Sequence, residues 1–330
     1  TKDKYRSGNH DVTYLVEDPD LKNRFIPLKD LFDVINTQED RLKMNTEQIG
    51  KIDYFPVKNY LVPADSATVI TNGLVPARYA SRIDTIAWRI DRNAIEKNNL
   101  MILDLLAHND WKRPVYFVST TGPDTYIGLD NYLFLEGMNY RLLPVRANST
   151  DGQIGEVNTD LMYDHVVNKF KWGNISDPSV KLDDNNARMV MNTRNIVGRL
   201  ASALAREGKK DSVRTVVQLA MKNMPDEKVK FDYFMIPMAT ACYRIGDTAT
   251  GNMIMGKIAK YKGEELAYYF SFPDKDLKDM DINIQEALIS VNQVSDITKQ
   301  FGQESLSKEA EGIMQKYYNP YIEKVYQHNR

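Results

Sequence analysis

The 330-residue chain has one cysteine, four histidines and few recognisable catalytic motifs. Cys242 alone allows neither an internal disulfide nor a zinc site built from cysteines. The histidines, His10, His108, His165 and His328, are far apart in sequence, whereas two metal ligands on one helix face need a spacing of about one turn. We therefore expect no metal site and no cofactor.

Long apolar runs and a surplus of basic charge are also missing. Without about 18 consecutive apolar residues, no segment is predicted to span a bilayer. The 43 basic side chains are balanced by 45 acidic ones, which disfavours nucleic acid as a partner. The sequence begins Thr1-Lys2-Asp3, with neither a methionine nor a signal peptide, and we expect a processed or excised piece of a longer protein.

None of the common catalytic fingerprints occurs, neither a nucleophile elbow nor a glycine-rich phosphate loop. His108 lies near Asp104 and Asp110 in the sequence, and it has two interpretations. It could act as a general base paired with Asp104 or Asp110. It could instead end a helix, where the helix dipole favours a cation. We favour the second interpretation, and we expect no catalytic residue in this chain.

Residues 1–150 are predicted to form an α/β domain, a mixed sheet with covering helices. A short helix is expected over Ile26–Ile35. The clearest unit is a helix over Leu100–Ala107, a strand over Val115–Val118, a second helix over Leu129–Gly137 and a strand over Tyr140–Val145. Such alternation of helices and strands is typical of a parallel or mixed sheet.

The loop after the Val115–Val118 strand is the candidate ligand site of this domain. Loops at the carboxyl ends of such strands collect ligands, because helix N-termini there present unpaired N–H groups. Asp124 would repel a phosphate, so sugar hydroxyls fit the residue types better. The alternative, which we favour, is a connection that mainly caps the helix predicted to start near Leu129. The candidate residues are Thr120, Thr121, Gly122, Asp124 and Tyr126.

Residues 151–330 are predicted to form an all-α domain resembling a tetratricopeptide array. Two helical hairpins are expected, with their turns at Gly208 and Gly246, because apolar residues recur at helical spacing on both sides of each glycine. The interval between the glycines slightly exceeds the repeat length of about 34 residues. Further helices downstream are expected to stack on the array and cap it.

Stacked helix pairs leave a concave face, which is lined by the first helix of each pair. We predict that this face is a groove for an acceptor protein or an envelope partner. The residues assigned to it, as positions outside the core, are Arg194, Asn195, Arg199, Ser202, Arg206, Tyr233 and Thr240.

Several long motifs resemble one known family over nearly the whole chain. They are Leu103–Phe117, Tyr132–Pro144, Met162-Tyr163 with Asn168–Asn174, Arg188–Arg194, Leu200–Pro225, and Tyr5–Gly8 with Asp11-Val12. They resemble the C-terminal soluble region of a bacterial family of polytopic membrane proteins formerly classed as a domain of unknown function. That family is related to protein O-mannosyltransferase-like glycosyltransferases of the transmembrane-protein-260 type.

The resemblance implies a parent protein that transfers sugar from a polyprenyl-phosphate donor to an extracytoplasmic acceptor. The family's acidic catalytic residues lie in its membrane portion and first loop, so no catalytic position carries over to this chain. It also implies a strand just upstream of Tyr5, so that the α/β domain is incomplete at its start. The location implied is the periplasmic face of the inner membrane, where transmembrane helices absent from this chain tether the domain.

The leading hypothesis is a non-catalytic domain of a membrane glycosyltransferase-like protein that positions acceptor proteins or partners, its own membrane portion included. A soluble glycan-binding module or an enzyme using the crevice near Thr120–Tyr126 is the alternative. A purely structural scaffold within an envelope complex is the third.

Overall fold

The computed structural model describes residues 12–37, 43–46 and 50–324. It divides into two compact units, with the boundary between Asn158 and Thr159. The motif Tyr5–Gly8 with Asp11, the strand expected upstream of Tyr5, and the histidines His10 and His328 lie outside the described residues.

In its described residues, the first unit consists of short strands and three α-helices. Within its described residues the strands are β1 (Val12–Leu15), β2 (Ile26–Pro27), β3 (Lys43–Thr46), β4 (Gly50–Phe55), β5 (Asn59–Val62), β6 (Ile86–Arg89), β7 (Ala94–Glu96), β8 (Val115–Val118), β9 (Leu133–Leu135), β10 (Asn139–Leu142) and β11 (Glu156–Val157). The helices are α1 (Leu28–Asn36), α2 (Ser66–Thr71) and α3 (Lys97–His108).

These strands form three small sheets, with orders β3-β4-β1-β7, β11-β9-β10-β8 and β2-β5-β6. Each sheet is mixed: β1 runs parallel to β4 and antiparallel to β7, for example. Helix α3 packs against β1 and β7, and α1 packs against β2 and β5. The predicted class, an α/β region followed by an all-α region, is confirmed.

Aromatic side chains join the first sheet to the third. Phe32 of α1 meets Phe55 of β4 edge to face, with ring centroids 5.7 Å apart. Phe55 contacts Tyr60 of β5, and Tyr60 contacts Trp88 of β6, at 6.1 and 5.7 Å. All four rings are buried, so this row forms much of the core of the first unit.

The second helix predicted here, Leu129–Gly137, is wrong. A single 3₁₀ turn at Asp130–Tyr132 leads into strand β9, and Gly137 at φ 91° reverses the chain into β10. All three residues of β9 are fully buried, which suits a strand covered on both faces. The apolar run Tyr132–Leu135 is short, which fits a buried strand better than a helix. The helices predicted around Ile26–Ile35 and Leu100–Ala107 are confirmed.

Helices are the regular elements in the described residues of the second unit. Its helices are α4 (Thr159–Asp164), which continues into a π-helical turn at His165–Lys169, α5 (Asp184–Arg206), α6 (Lys210–Asn223), α7 (Ile236–Ile245), α8 (Thr248–Tyr269), α9 (Asp281–Gln300) and α10 (Glu304–Lys324).

Two helical hairpins occur where the sequence predicted them. Gly208 and Gly246 take positive φ angles of 74° and 85°, and they end α5 and α7 with the left-handed residue that such turns need. Helix α5 packs on α6 and α7, and α7 packs on α8. The last two helices follow a different pattern, because α9 packs on α8 and α10. The tetratricopeptide likeness stays a prediction.

Candidate functional site

The loop from Ser119 to Gly128 is held closed by its own hydrogen bonds. The Thr121 hydroxyl donates to the carbonyl oxygen of Val118 at 2.8 Å. Tyr126 is buried, and its hydroxyl lies 3.2 Å from the carbonyl oxygen of Thr121 and 3.4 Å from that of Val118. Two of the five predicted ligand groups therefore bond to the loop itself.

The other three predicted ligand residues are exposed. Thr120 and Gly122 face solvent. Asp124 forms an ion pair with Arg92, whose guanidinium also lies within hydrogen-bonding distance of the Asp124 carbonyl. Arg92 is distant from the loop in the sequence, so the sequence alone did not indicate this pairing.

The end of the loop is fixed against strand β6. Trp88 donates its indole N–H to the carbonyl oxygen of Ile127 at 3.1 Å. Gly128 has φ +85°, and a Cβ there would lie 2.7 Å from the carbonyl oxygen of Arg89. The next element is a 3₁₀ turn and a strand, so the expectation that this loop caps a helix near Leu129 is wrong. Without an α-helix at this point, no α-helix N-terminus presents unpaired N–H groups to a ligand in this loop.

His108 lies in the last turn of α3 and contacts the turn before it. Its Nδ1 is 3.1 Å from Oδ1 of Asp104 and 3.0 Å from the Asp104 carbonyl oxygen. Asp110, the other proposed partner, pairs with Lys112 at 2.9 Å. The position in the last turn and the contact with the Asp104 carbonyl agree with the interpretation that His108 ends the helix, and the contact with the Asp104 carboxylate leaves the general-base interpretation a prediction.

A buried carboxylate in the first unit escaped the sequence analysis. Glu136, in the turn between β9 and β10, accepts a hydrogen bond from Asn158 at 2.9 Å. The Arg141 guanidinium and the Tyr116 hydroxyl each lie 3.5 Å from its second oxygen. The Glu136 side chain is fully buried, so this acid joins the β9–β10 turn to the end of β11.

The predicted partner groove on α5 is mostly core, so three of its assignments are wrong. Arg194, Arg199 and Ser202 are 0, 1 and 7% exposed, and the Ser202 hydroxyl donates to the carbonyl oxygen of Pro237 at 2.9 Å. Helix α5 is covered here by the start of α7, as the Pro237 side chain 3.3 Å from a Cβ built at Gly198 shows. These polar residues of α5 would face solvent only if α7 did not cover them.

The remaining predicted groove residues are more accessible. Asn195 and Thr240 are half-buried, and the Thr240 hydroxyl donates to the carbonyl oxygen of Ile236 at 2.8 Å. Arg206 and Tyr233 are exposed. Their role in partner binding stays a prediction.

Arg194 binds the connection between α6 and α7. Its guanidinium donates to four backbone carbonyl oxygens at 2.7 to 3.2 Å, those of Met224, Pro225, Val229 and Lys230. The guanidinium carbon lies 5.0 Å from the centre of the Phe231 ring. The Met224 carbonyl is at the C-cap of α6 and the other three belong to the connection that follows, so one long side chain binds the backbone just beyond the end of α6.

Two acidic residues lie close to this guanidinium. Burial lowers the pKa of Arg194, and Asp232 and Asp226 oppose that shift. Burial also raises the pKa of Asp232, although its carboxylate accepts the backbone N–H of Phe234 at 2.9 Å. The charged form of Asp232 is therefore disfavoured by the fold.

Asp226 forms the centre of a second set of contacts in the same connection. It accepts hydrogen bonds from the backbone N–H of Phe231 at 2.9 Å, from Lys257 at 3.0 Å and from Tyr261 at 2.6 Å. Burial alone would raise the pKa of this carboxyl, but the three donors prevail and lower it. The bond to Asp226 raises the pKa of Tyr261 to about 12. These charges hold backbone in place rather than forming a reactive site.

One open feature in the described residues of the second unit is a groove between α9 and α10, with a volume of about 740 Å³. Its apolar and aromatic lining is supplied by Leu288, Ile289, Met314 and Tyr318. Ile289 and Tyr318 are 57 and 49% exposed, which is high for side chains of this kind. We call this feature the α9–α10 groove.

Besides the Tyr318 hydroxyl, the polar lining of the α9–α10 groove consists of carboxamides, from Asn292, Gln293, Gln315 and Asn319. On both helices the lining residues fall at i, i+1, i+4 and i+5, so each helix presents two adjacent rows. No lining residue carries a charge. The sequence shows this pattern only once the two helices are known to be neighbours.

Across the described parts of the chain, no group of three or more His, Cys, Asp or Glu side chains is arranged to hold a metal ion. In the same residues, no helix has the length and apolar character needed to cross a bilayer.

The described residues thus form an α/β unit with a buried carboxylate bound by neighbouring side chains, followed by a helical unit with an open groove lined by uncharged residues. Residues 1–161 match the model of the family described as TMEM260-associated domain 2. This match supports a TMEM260-related family, as the sequence motifs predicted. No curated protein and no solved structure matches the chain.

Proposed function

We propose that this chain is a non-catalytic, extracytoplasmic domain of a glycosyltransferase-like membrane protein, and that it positions acceptor proteins or partners for sugar transfer by the membrane portion. The match of residues 1–161 to a TMEM260-associated domain supports the link to such a protein. The bacterial origin and the transfer activity of the parent are part of this proposal.

The observation that carries the positioning role is the α9–α10 groove. It is open, it exposes apolar side chains beside carboxamides, and it lies on a helical unit outside the matched residues. Exposed apolar surface framed by polar groups is typical of a binding site for another molecule. The charged clusters of both units, by contrast, bond to backbone and to one another.

The transfer experiment compares the isolated chain with the intact parent. Incubated with a polyprenyl-phosphate sugar donor and acceptor peptides, the isolated chain is expected to give no product above background. The parent lacking residues 159–330 is expected to glycosylate short peptides but to lose transfer to folded acceptor proteins. Product from the isolated chain, or unchanged transfer to folded acceptors by the truncated parent, would contradict the proposal.

The periplasmic location is tested separately by thiol labelling of the parent in intact cells. Cys242 is buried, and burial raises the pKa of its thiol to about 12, so it reacts poorly with maleimides. Lys275 is exposed, so a Lys275→Cys variant offers one reactive thiol. Labelling by a membrane-impermeant maleimide is expected, and labelling only after the cells are opened would refute the location.

A further inference from the structure

The α9–α10 groove offers unused hydrogen-bonding groups. Among the residues that the structure describes, the side chains of Gln293, Gln315, Asn319 and Tyr318 form no hydrogen bond to another protein group. Asn292 donates to Asp296 at 2.9 Å, and its carbonyl oxygen stays available. An apolar helix docked here would bury these groups without partners, which is unfavourable. The occupant therefore has donors and acceptors of its own.

The absence of charge in the lining restricts the occupant further. A charged segment entering the groove would lose hydration without gaining an ion pair. Ile289 and Met314 instead provide apolar surface for uncharged side chains, whereas Leu288 is buried. The groove is therefore suited to a neutral ligand that carries both amide groups and apolar groups.

The spacing of the carboxamides matches an extended polypeptide. Gln315 and Asn319 are one turn apart, which corresponds to about 6 Å along the helix. An extended chain repeats its side-chain direction every two residues, or about 6.6 Å, and offers a peptide N–H and C=O at that interval. A carboxamide carries both a donor and an acceptor, so it can pair with one peptide group. On the facing helix the carboxamides Asn292 and Gln293 are adjacent in sequence, so the one-turn spacing is supplied by α10.

We propose that the α9–α10 groove binds an extended, uncharged polypeptide segment of another protein, whose backbone pairs with the carboxamides and whose alternate side chains contact the apolar wall. The inference rests on the proposed function only for identifying that segment as part of an acceptor or partner. Peptide binding itself is a property of this chain and is measured without sugar transfer.

The test is a fluorescence anisotropy titration of the full chain. The probe is a peptide of alternating threonine and valine, blocked at both ends and carrying an uncharged dye. Saturable binding of the probe is expected. For the double variant Gln315→Ala, Asn319→Ala, the dissociation constant is expected to rise about tenfold or more. Gln300→Ala, an exposed amide on α9 outside the lining, is the matched control and is expected to bind as the unchanged chain does. Circular dichroism verifies that each variant is folded.

Further measurements distinguish an uncharged peptide from a charged peptide or a sugar as the occupant of the groove. A peptide with glutamate in place of threonine is expected to compete poorly, and maltoheptaose is expected not to compete. Amide shifts caused by the probe are expected around 288–293 and 314–319. Failure of the probe to bind, equal binding by the double variant, or saturable binding of the sugar alone would overturn the inference. If the parent still needs residues 159–330 for transfer after such a result, the proposed function stands and only this site is wrong.

Discussion

Replacing Arg194 by methionine tests whether one buried guanidinium holds the α6–α7 connection. The substitution keeps most of the aliphatic stem but removes the hydrogen bonds to four carbonyl oxygens. A buried polar group left without a partner costs about 1–3 kcal/mol. Some of the freed carbonyls will reach water, and the desolvation of the guanidinium is relieved. We therefore expect a net loss of about 3 kcal/mol in the free energy of unfolding of the second unit.

The assay is urea unfolding of the full chain followed by circular dichroism at the helical band. The matched control is Arg188→Met, because Arg188 lies on the same helix but is exposed, and surface changes cost within about 0.5 kcal/mol. Amide exchange at 224–231 is expected to rise in the Arg194 variant and to stay unchanged in the control. A loss below about 1 kcal/mol, or equal losses in both variants, would refute the role given to this side chain.

Three further outcomes are expected. Asp232→Asn should raise the midpoint of thermal unfolding at pH 7 but not at pH 3. Burial raises the folded pKa of Asp232, so the contribution of Asp232 to stability is lost as pH rises from the ordinary carboxyl range through that folded pKa. A lower midpoint at pH 7 would show that pairing with Arg194 outweighs burial. Gly128→Ala should lower the free energy of unfolding by about 2 kcal/mol or more, because a Cβ there meets the Arg89 carbonyl and the residue has a left-handed φ. The control Gly122→Ala should cost far less, because a Cβ there has nothing within 4 Å. Similar losses in both variants would refute the steric argument. Titration with mannose should leave the amide resonances of residues 119–128 unshifted, because the Thr121 and Tyr126 hydroxyls already form hydrogen bonds to backbone carbonyls. Saturable shifts confined to residues 119–128 would support the glycan-binding alternative.

Helices with a clear period and a strong end signal could be predicted from the sequence. The hairpins at Gly208 and Gly246 follow from apolar residues at helical spacing and from glycines where the backbone needs a positive φ. The apolar positions predicted around the first turn, Val213 and Val216 among them, are buried. Local rules suffice here, because each helix contacts its neighbour in sequence.

The wrong predictions concern residues whose secondary structure or burial is determined by tertiary contacts. Leu133–Leu135 is apolar without a period, and only its pairing with β10 and β11 makes it a strand. Arg194 looks like a surface residue on its own helix, and its burial depends on a connection some thirty residues later. The α9–α10 groove depends on which faces of two helices meet, and this is not encoded in either helix alone.

The pairing of β1 has a consequence for the order in which the two units fold. Strand β1 registers with Tyr54 and Phe55 of β4 and with Ala94 to Glu96 of β7, so its sheet closes only after most of the first unit has been synthesised. The α5–α6 hairpin closes over a few residues at Gly208. Since contacts between residues distant in sequence slow folding, the second unit is expected to refold faster from denaturant, although it is made last on the ribosome.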